Sequence, residues 1–175
     1  MNSPLPDAEA LLAELAERMS GAIAQEAALV GMYSGGAWVA QRLAAMLPGQ
    51  HRLGFLDAAY YRDDFQRSGL KSNTRRTDIS FAVEGASIVL CDDVLYTGRS
   101  VRAAINELFD YGRPASIELA VLVDRGGREL PIEPTYVGAR LAVARDLSIV
   151  LSQDAQSRLA LAVERADGPE GGSAP

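Results

Sequence analysis

The chain has 175 residues, 48% of them hydrophobic and 23% charged, and a formal net charge of −6 at pH 7. This length suits a single globular domain with a substantial core. One cysteine, Cys91, excludes an intrachain disulfide and a cysteine cluster for zinc, and one histidine, His51, gives little support to a histidine metal site or a Ser-His-Asp triad. No apolar run has the length of a membrane span and no secretory signal pattern opens the chain, so we expect a cytoplasmic protein without a membrane partner.

The charges are unevenly distributed along the chain. Residues 1–28 carry five acids against one base, whereas residues 62–78 carry five bases against three acids. An acidic chain with one local basic loop favours a small anionic ligand over a long nucleic acid duplex. RNA stays open as a ligand, because a folded patch can be basic on an acidic protein.

The first half of the chain alternates helix and strand patterns. Asp7 is placed as a helix N-cap, and Leu12, Leu15, Met19 and Ile23 recur at helical spacing, which predicts a helix to about residue 27. The elements predicted next are a strand over 28–32, a turn over 33–36, a helix ending at Pro48-Gly49, a strand over 52–61 and a basic loop over 62–78.

The second half continues this alternation and then weakens. A buried strand over 87–91, a helix over 99–110 and a strand over 116–123 are predicted, followed by strand-like segments at 136–143 and 148–151. Residues 158–163 fit a strand or a helix, and the Gly/Pro-rich tail over 166–175 is expected to be disordered. Strand–helix alternation over 28–123 predicts an α/β fold with a parallel sheet. Ligands of such sheets bind at the carboxyl ends of the strands, where the turn at Ser34-Gly35-Gly36 and the loop over 92–100 should both face one crevice.

The run IVLCDDVLYTGRSVRAA, residues 88–104, joins an apolar strand, an acid pair and a helix start. Asp92 and Asp93 repel each other and need a cation or hydrogen-bond donors, while residues 97–100 (TGRS) offer amides and hydroxyls that suit a phosphate. A sugar phosphate satisfies both requirements. The alternative is a solvated acidic turn in which Thr97 or Ser100 is an ordinary helix cap, but the three parts together are far more specific than any one of them.

This run resembles the phosphoribosyl-pyrophosphate (PRPP) signature of type I phosphoribosyltransferases. The resemblance extends to YRDD at residues 61–64 and above all to GRPASIELAVLVDRGGRELPIEPTYVG at residues 112–138. Together these motifs resemble the PyrR family, the pyrimidine operon regulators that also act as uracil phosphoribosyltransferases. The likeness covers most of residues 10–165, and VLVDRGGRELP is its discriminating piece, because all type I enzymes share the PRPP signature.

The resemblance implies a type I phosphoribosyltransferase fold, in which helices flank a central parallel sheet and both terminal regions build a small hood. Residues 1–165 would then form one domain. The implied reaction is pyrimidine salvage: uracil and PRPP give UMP and pyrophosphate with Mg²⁺ as cofactor. The implied assembly is a homodimer or a larger oligomer.

The resemblance also assigns roles to individual residues. Asp92, Asp93 and Arg128 would be catalytic, with Arg128 facing pyrophosphate and the two aspartates supporting Mg²⁺ indirectly, together with PRPP. The uracil edge would be read by the backbone around Val123, Asp124, Arg125 and Gly126. PRPP or UMP would contact the acid pair and Ser34, Gly35, Gly36, Arg62, Tyr96, Thr97, Gly98, Arg99 and Ser100.

The sequence departs from the family pattern at two positions near this site. The family usually has Thr-Arg-Gly where this chain has Ser34-Gly35-Gly36, which removes a guanidinium that would neutralise the leaving group. The family also usually has His at position 127, which is glycine here. We therefore expect weak catalysis unless Arg62, or the flexible-loop residues Lys71, Arg75 and Arg76, supply the missing charge.

Tyr96 tilts the choice of base toward a pyrimidine. Purine phosphoribosyltransferases place an aspartate at this position, where it can interact with N7, and uracil has no N7. A packing role for the tyrosine explains the same residue, so this observation is supporting only.

Two other functions remain open at this stage. One is an RNA-binding attenuation regulator that senses UMP or UTP and binds leader RNA, for which Arg18, Arg140 and Arg145 are candidate contacts although the N-terminus is acidic. The other is a regulator that has lost catalysis and acts through protein contacts. His51 is expected at the surface, Trp38 in packing, and Cys91 in the core.

Overall fold

The computed structural model describes residues 5–57 and 77–165. Helix α1 spans Ala8–Met19, followed by strand β1 (Ala28–Met32), helix α2 (Gly35–Met46), strand β2 (Leu53–Leu56), strand β3 (Ser87–Leu95), helix α3 (Arg99–Asp110) and strand β4 (Ser116–Asp124). Three further strands complete this part of the chain: β5 (Tyr136–Arg140), β6 (Leu147–Gln153) and β7 (Leu159–Arg165). In the two described ranges, no helix combines the length and apolar character needed to cross a membrane.

Five strands form a parallel sheet in the order β2-β1-β3-β4-β5. The predicted α/β class is therefore confirmed. Strands β1 and β3 lie inside the sheet and are covered on both faces, which explains why their residues form continuous apolar runs without alternation. Strands β6 and β7 form a separate antiparallel pair, so residues 158–163 belong to a strand.

Two hydrophobic clusters lie on the two faces of the parallel sheet. One cluster joins α1 and α2 to the β6–β7 pair, through residues such as Leu15, Leu43 and Ile149. The other cluster packs α3 against the sheet, through residues such as Leu108 and Leu90. The sheet is thus the middle layer between helices on its two sides.

The N-terminal helix is shorter than the sequence pattern predicts. Asp7 caps it as expected, since its Oδ1 accepts a hydrogen bond of 2.8 Å from the Ala10 amide. The helix ends at Met19 instead of continuing to about residue 27, because Gly21 takes a φ of +79°, which does not continue a right-handed helix. The expected apolar contact of Ile23 with the core is nevertheless present.

Both ends of the described chain are joined to helix α2 by one polar contact. Glu9 on α1 pairs with Arg42 on α2 and accepts a 2.8 Å hydrogen bond from the Leu159 amide at the start of β7. Hydrogen bonding from Arg42 lowers the pKa of the Glu9 carboxyl below its usual value. Arg42 also donates to the Ser157 carbonyl at 3.1 Å, so α1 and the β6–β7 turn share one anchor.

Candidate active site

The two adjacent aspartates lie inside strand β3. The sequence pattern ends this strand at Cys91, but pairing with β4 continues through Leu95, which is aligned with Asp124. Asp92 is only 8% exposed, and its Oδ1 accepts a 3.0 Å hydrogen bond from the Asp93 amide. The acid pair is therefore held on a rigid central strand and not on a turn.

The first turn of helix α2 lies directly against this acid pair. The predicted glycine turn is in fact the start of the helix, since α2 begins at Gly35 and Ser34 precedes it. A Cβ atom on Gly35 would collide with the Asp93 carboxylate, and one on Gly36 would collide with the Cys91 carbonyl oxygen. The peptide bond between Tyr33 and Ser34 is cis. The two loops expected to share one crevice are thus in contact, with free helix amides beside a carboxylate.

The predicted phosphate loop leads from strand β3 into helix α3. Gly98 is the N-cap of α3 and takes a φ of +89°, a left-handed conformation that favours glycine. The Thr97 hydroxyl accepts a 3.3 Å hydrogen bond from the Arg99 amide. A cavity of about 150 Å³ opens here, lined by Asp92, Val94, Leu95, Tyr96, Thr97, Gly98, Ser100 and Val101. One acid of the pair and the helix N-terminus therefore face the same space.

The segment after β4 packs along the outside of this loop. The amides of Glu129 and Leu130 donate to the Thr97 carbonyl at 3.0 and 3.2 Å, and the Arg125 amide donates to the Leu95 carbonyl at 3.0 Å. A further ion pair of 2.7 Å joins Arg99 Nε to Glu129 Oε2. The VLVDRGGRELP segment, the most specific part of the family resemblance, therefore supports the predicted phosphate loop.

Arg128 and Asp124 belong to one network of polar contacts. The Arg128 side chain is 15% exposed, and its Nη2 lies 2.9 Å from Asp124 Oδ2 in a carboxylate that is 7% exposed. Its Nε donates to the Ile132 carbonyl at 2.7 Å and its Nη1 to the Tyr96 carbonyl at 3.0 Å. Asp124 Oδ1 accepts from the Gly126 amide at 2.9 Å. The Arg128 guanidinium is thus paired with Asp124, and the contact with pyrophosphate expected for it stays a prediction.

Tyr96 is held between two residues of the same segment. The Arg125 guanidinium lies 3.9 Å from the centroid of the Tyr96 ring, in a cation–π contact, and donates to the carbonyls of Leu147 and Ala144 at 2.8 and 3.2 Å. A Cβ on Gly127 would collide with the same ring. Gly127 therefore provides the space that the tyrosine occupies, in addition to lacking the polar side chain that the family resemblance leads one to expect.

The remaining predicted residues are placed as follows. Val123 is fully buried in β4, next to Asp124 at the carboxyl end of the strand. Arg62, Lys71, Arg75 and Arg76 lie outside the described residues, so their contribution to the site stays a prediction.

Two of the three candidate RNA-contacting arginines make contacts within the protein. Arg18 donates to the carbonyls of Val137 and Gly138 on the edge strand β5, so it is anchored there. Arg140 lies 3.6 Å from Asp124 with a side chain that is 72% exposed.

Three residues singled out from the sequence lie away from the chemistry. Burial raises the pKa of the Cys91 thiol, and repulsion from Asp92 adds to this, so the thiol stays protonated in the core as expected. Trp38 packs partly buried against the core. His51 is partly exposed, with its ring nitrogens 2.9 and 3.2 Å from the Ala27 and Pro48 carbonyl oxygens.

A second, larger cavity of about 760 Å³ lies at the opposite end of the sheet, before the first residues of β1 and β2. It is lined by the turns that follow α1 and α2, from residues 20–26 and 48–52. Two of its basic side chains, His51 and Arg52, are already bonded to backbone carbonyls. Its position, away from the carboxyl ends of the strands, separates it from the acid pair.

Sequence reasoning missed Glu129 and the backbone of Leu130 as supports of the phosphate loop. Their signal is visible only in retrospect: RELP follows the β4 strand at a short distance, and a charged Arg99 opens the helix opposite. No local pattern predicts that the two loops touch.

The donor set at the acid pair suits Mg²⁺ that is shared with a substrate. The described residues contain no group of three or more His, Cys, Asp or Glu side chains able to hold a metal ion. Two neighbouring carboxylates do fit Mg²⁺, which is commonly bound by one or two carboxylates with waters and substrate phosphates completing its coordination. Asp92 and Asp93 are therefore the residues that would hold it.

Comparison with known proteins identifies the family. Residues 4–145 match the phosphoribosyl transferase domain family. The chain is 52% identical over 160 residues to the bifunctional protein PyrR of Ralstonia nicotianae, covering 89% of this chain and 91% of that protein. The chain belongs to the PyrR family. A second PyrR relative, the bifunctional protein of Pseudomonas fluorescens, is 45% identical over 161 residues, covering 90% of this chain and 96% of that one. The resemblance found in the PyrR-like motifs is thereby confirmed.

Solved structures confirm the type I phosphoribosyltransferase fold of this PyrR family member. The hypoxanthine phosphoribosyltransferase of Trypanosoma cruzi matches with a TM-score of 0.66 at 20% identity, covering 94% of this chain and 97% of that one. A hypoxanthine-guanine phosphoribosyltransferase of Bacillus anthracis matches with a TM-score of 0.64 at 17% identity, covering 84% and 86%. At such identities these likenesses establish the fold, and the choice of base has to come from elsewhere.

Proposed function

We propose that this protein transfers the phosphoribosyl group of PRPP to uracil, forming UMP and releasing pyrophosphate, and that it links this reaction to the regulation of pyrimidine biosynthesis genes. Family membership supports the transfer reaction. The relatives carry the name bifunctional, which supports a second role beside it.

The observation that carries the proposal is the contact between the α2 N-terminus and the acid pair. Gly35 lies against Asp93, and Asp92 lines a cavity together with Thr97 and Ser100, so a helix N-terminus lies beside each acid of the pair. Carboxylates can accept hydrogen bonds from ribose hydroxyls, and two helix N-termini suit a phosphate and a pyrophosphate. PRPP carries all three of these parts: ribose hydroxyls, a phosphate and a pyrophosphate.

In the proposed reaction the bond between uracil N1 and ribose C1′ forms while the bond from C1′ to the pyrophosphate oxygen breaks, and the N1 proton is lost to solvent. Asp92 and Asp93 hold the ribose, and the TGRS loop holds the 5′-phosphate. Mg²⁺ held with the acid pair and PRPP would supply positive charge to the leaving pyrophosphate. Catalysis then depends on orientation and electrostatics, without a covalent intermediate.

The leaving-group side has little charge in the described part of the chain. The α2 N-terminus contributes backbone amides at Gly35 and Gly36 but no cationic side chain. We therefore propose weak turnover, with Arg62, Lys71, Arg75 or Arg76 as candidates to neutralise pyrophosphate.

A pyrophosphate-release assay tests this function. PRPP and Mg²⁺ are supplied with uracil, orotate, hypoxanthine or guanine, and release is expected with uracil alone. The double variant Asp92→Asn/Asp93→Asn should abolish release, whereas the matched control Asp146→Asn, an exposed acid before β6, should retain it. Release with a purine would contradict the base assignment, and absence of release with every base would contradict the enzyme.

A second function, RNA-binding attenuation control by UMP or UTP, rests on the bifunctional name of the relatives. Arg140 and Arg145 are exposed at one end of the parallel sheet, whereas Arg18 is used to hold β5. A filter-binding titration of the protein's own leader RNA, with and without UMP, tests it. UMP-dependent binding that Arg140→Gln/Arg145→Gln weakens supports the proposal, and binding that is unaffected by UMP counts against a sensor.

Assembly into dimers or larger oligomers also stays a prediction, to be measured by sedimentation.

A further inference from the structure

Three successive carbonyl groups, one at the end of β3 and two in the phosphate loop, accept hydrogen bonds from one neighbouring segment. The Leu95 carbonyl accepts from the Arg125 amide, and the Thr97 carbonyl accepts from the amides of Glu129 and Leu130. Between them, the Tyr96 carbonyl accepts from a side chain, the Arg128 guanidinium, at 3.0 Å. Residues 125–130 therefore fix the orientation of the peptide groups from 95 to 98.

The orientation of these carbonyls determines where the adjacent amides point. A trans peptide is planar, so its N–H and C=O are directed in opposite senses. The Thr97 N–H shares a peptide with the Tyr96 carbonyl, and the Gly98 N–H shares one with the Thr97 carbonyl. Because both carbonyls face the 125–130 segment, both amides face away from it. The 150 Å³ cavity is lined by Thr97 and Gly98 and by no residue of that segment, so it lies on the amide side.

We infer that Arg128 is a positioning residue, which holds the Tyr96 carbonyl so that the Thr97 amide is aimed at the 5′-phosphate of the substrate. This inference rests on the proposed function and deepens it at one residue. Arg128 suits the task because its planar guanidinium is fixed at three points: Asp124, the Ile132 carbonyl and the Tyr96 carbonyl. A side chain fixed in this way also holds in place the Tyr96 carbonyl that it binds.

The same contacts argue against direct pyrophosphate binding by Arg128. Its Nε and both terminal nitrogens each contact a protein acceptor, and the Asp124 carboxylate 2.9 Å away already neutralises its charge. Releasing it toward an anion would leave the Asp124 carboxylate, which is 7% exposed, without its nearest cation. The guanidinium therefore acts through the loop.

Two ligands separate the two roles. Ribose 5-phosphate carries the 5′-phosphate without the leaving group, and pyrophosphate with Mg²⁺ carries the leaving group alone. Each is titrated by calorimetry into wild type, Arg128→Gln, Arg128→Lys and the control Arg113→Gln, an exposed arginine beyond the far end of α3. Arg128→Gln should weaken ribose 5-phosphate binding by about tenfold or more and leave pyrophosphate binding unchanged.

Arg128→Lys provides a variant that keeps a positive charge opposite Asp124. A single ammonium cannot serve the carboxylate and two carbonyls in the same fixed geometry, so ribose 5-phosphate binding should weaken while the melting temperature stays close to wild type. This result holds even if Arg128→Gln fails to fold. The control should bind both ligands as wild type does.

Three outcomes would overturn the inference. Unchanged ribose 5-phosphate binding in both Arg128 variants would show that the Tyr96 carbonyl does not need this contact. Weakened pyrophosphate binding with intact ribose 5-phosphate binding would place Arg128 on the leaving group. If wild type bound neither ribose 5-phosphate nor pyrophosphate, the proposed function itself would fail, and that failure is recognised from the wild-type titration alone.

Discussion

The phosphate loop, residues 96–100, and the glycine turn, residues 33–36, lie beside the same acid pair, but their supports differ. The phosphate loop is held from behind by residues 125–130, through three carbonyl contacts, the Arg125–Tyr96 stack and the Arg99–Glu129 ion pair. The glycine turn approaches the acids with backbone alone, because Gly35 and Gly36 leave no room for side chains. One side of the crevice is thus supported by backbone and side-chain contacts from a neighbouring segment, and the other by close backbone packing.

The close packing of the glycine turn explains one departure from the family pattern. Gly35 stands where the family usually carries an arginine, and the structure shows that a side chain at this position would collide with Asp93. The missing guanidinium and the close helix–strand contact are therefore one feature. Restoring a cation at position 35 would require the acid to move.

The largest expected effect comes from adding one methyl group on the backbone side. Gly35→Ala places a Cβ inside the Asp93 carboxylate, so we expect a loss of roughly 1–3 kcal/mol in the free energy of unfolding and at least about a tenfold loss in PRPP-dependent turnover. Urea denaturation and the pyrophosphate-release assay measure the two.

An Asp93→Ala background serves as the control for this clash. The two nearest colliding atoms, Oδ2 and Cγ, are then absent and only the Asp93 Cβ, at 2.8 Å, remains, so Gly35→Ala should cost less stability there than in wild type. Equal costs in the two backgrounds would show that the helix and the acid do not meet.

On the other side of the crevice, two neighbouring glycines form a matched pair. Gly126 and Gly127 take φ values of +71° and +78°, so alanine at either position carries a similar backbone cost of about 1 kcal/mol. A Cβ at Gly126 meets nothing within 4 Å, whereas one at Gly127 collides with the Tyr96 ring. Gly127→Ala should therefore lose more stability and more ribose 5-phosphate affinity than Gly126→Ala, and identical losses would contradict the packing described for Tyr96.

The smallest expected effect concerns Glu107 on helix α3, which should influence stability but not phosphate binding. Glu107 is 7% exposed; its Oε1 accepts a hydrogen bond from Thr77, and its Oε2 has no partner among the described residues. Burial raises the pKa of the Glu107 carboxyl, and the negative charges of Asp57 and Asp110 raise it further against the Thr77 bond. The folded protein thus resists ionisation of this group.

Because the pKa of Glu107 is raised in the folded protein, this group lowers the free energy of unfolding as pH rises. Below the usual pKa, near 4.5, the carboxyl is protonated in both states; as pH rises, the unfolded chain ionises first, and stability is lost as pH passes the raised folded pKa. Glu107→Gln should remove this slope and gain about 1 kcal/mol at pH 8 without altering phosphate binding. Urea denaturation at pH 4 and pH 8 checks this, and a variant that follows the wild-type pH profile would contradict it.

The sequence predicted most of what local pattern controls. Apolar runs located β1, β3 and β4 because buried parallel strands need continuous hydrophobic residues, and the acid pair with the Thr97-Gly98 start of α3 marked the crevice. The end of α1 was missed because Gly21 breaks the helix before its apolar spacing ends. Strand β3 was drawn too short because pairing with β4 overrides the polarity of Asp92 and Asp93.

What the sequence could not supply is the partner of each polar group. An arginine four residues beyond Asp124 could bind pyrophosphate or the protein, and only the fold shows that the Tyr96 and Ile132 carbonyls occupy it. The contact of Gly35 with Asp93 joins residues 58 positions apart, a distance that no local pattern encodes. The surroundings of Arg128 and of Asp93 are therefore visible only in the folded protein.

The comparison between the two sides of the crevice is tested most directly by titrating the wild-type protein with ribose 5-phosphate and with pyrophosphate, both at fixed Mg²⁺. Because the phosphate loop is braced and the described part of the leaving-group side offers only backbone amides, ribose 5-phosphate should bind at least about tenfold more tightly, a difference of about 1.4 kcal/mol. Pyrophosphate binding that is equal or tighter would contradict this comparison of the two described sides, and would favour Arg62, Lys71, Arg75 or Arg76 as the groups that complete the leaving-group site.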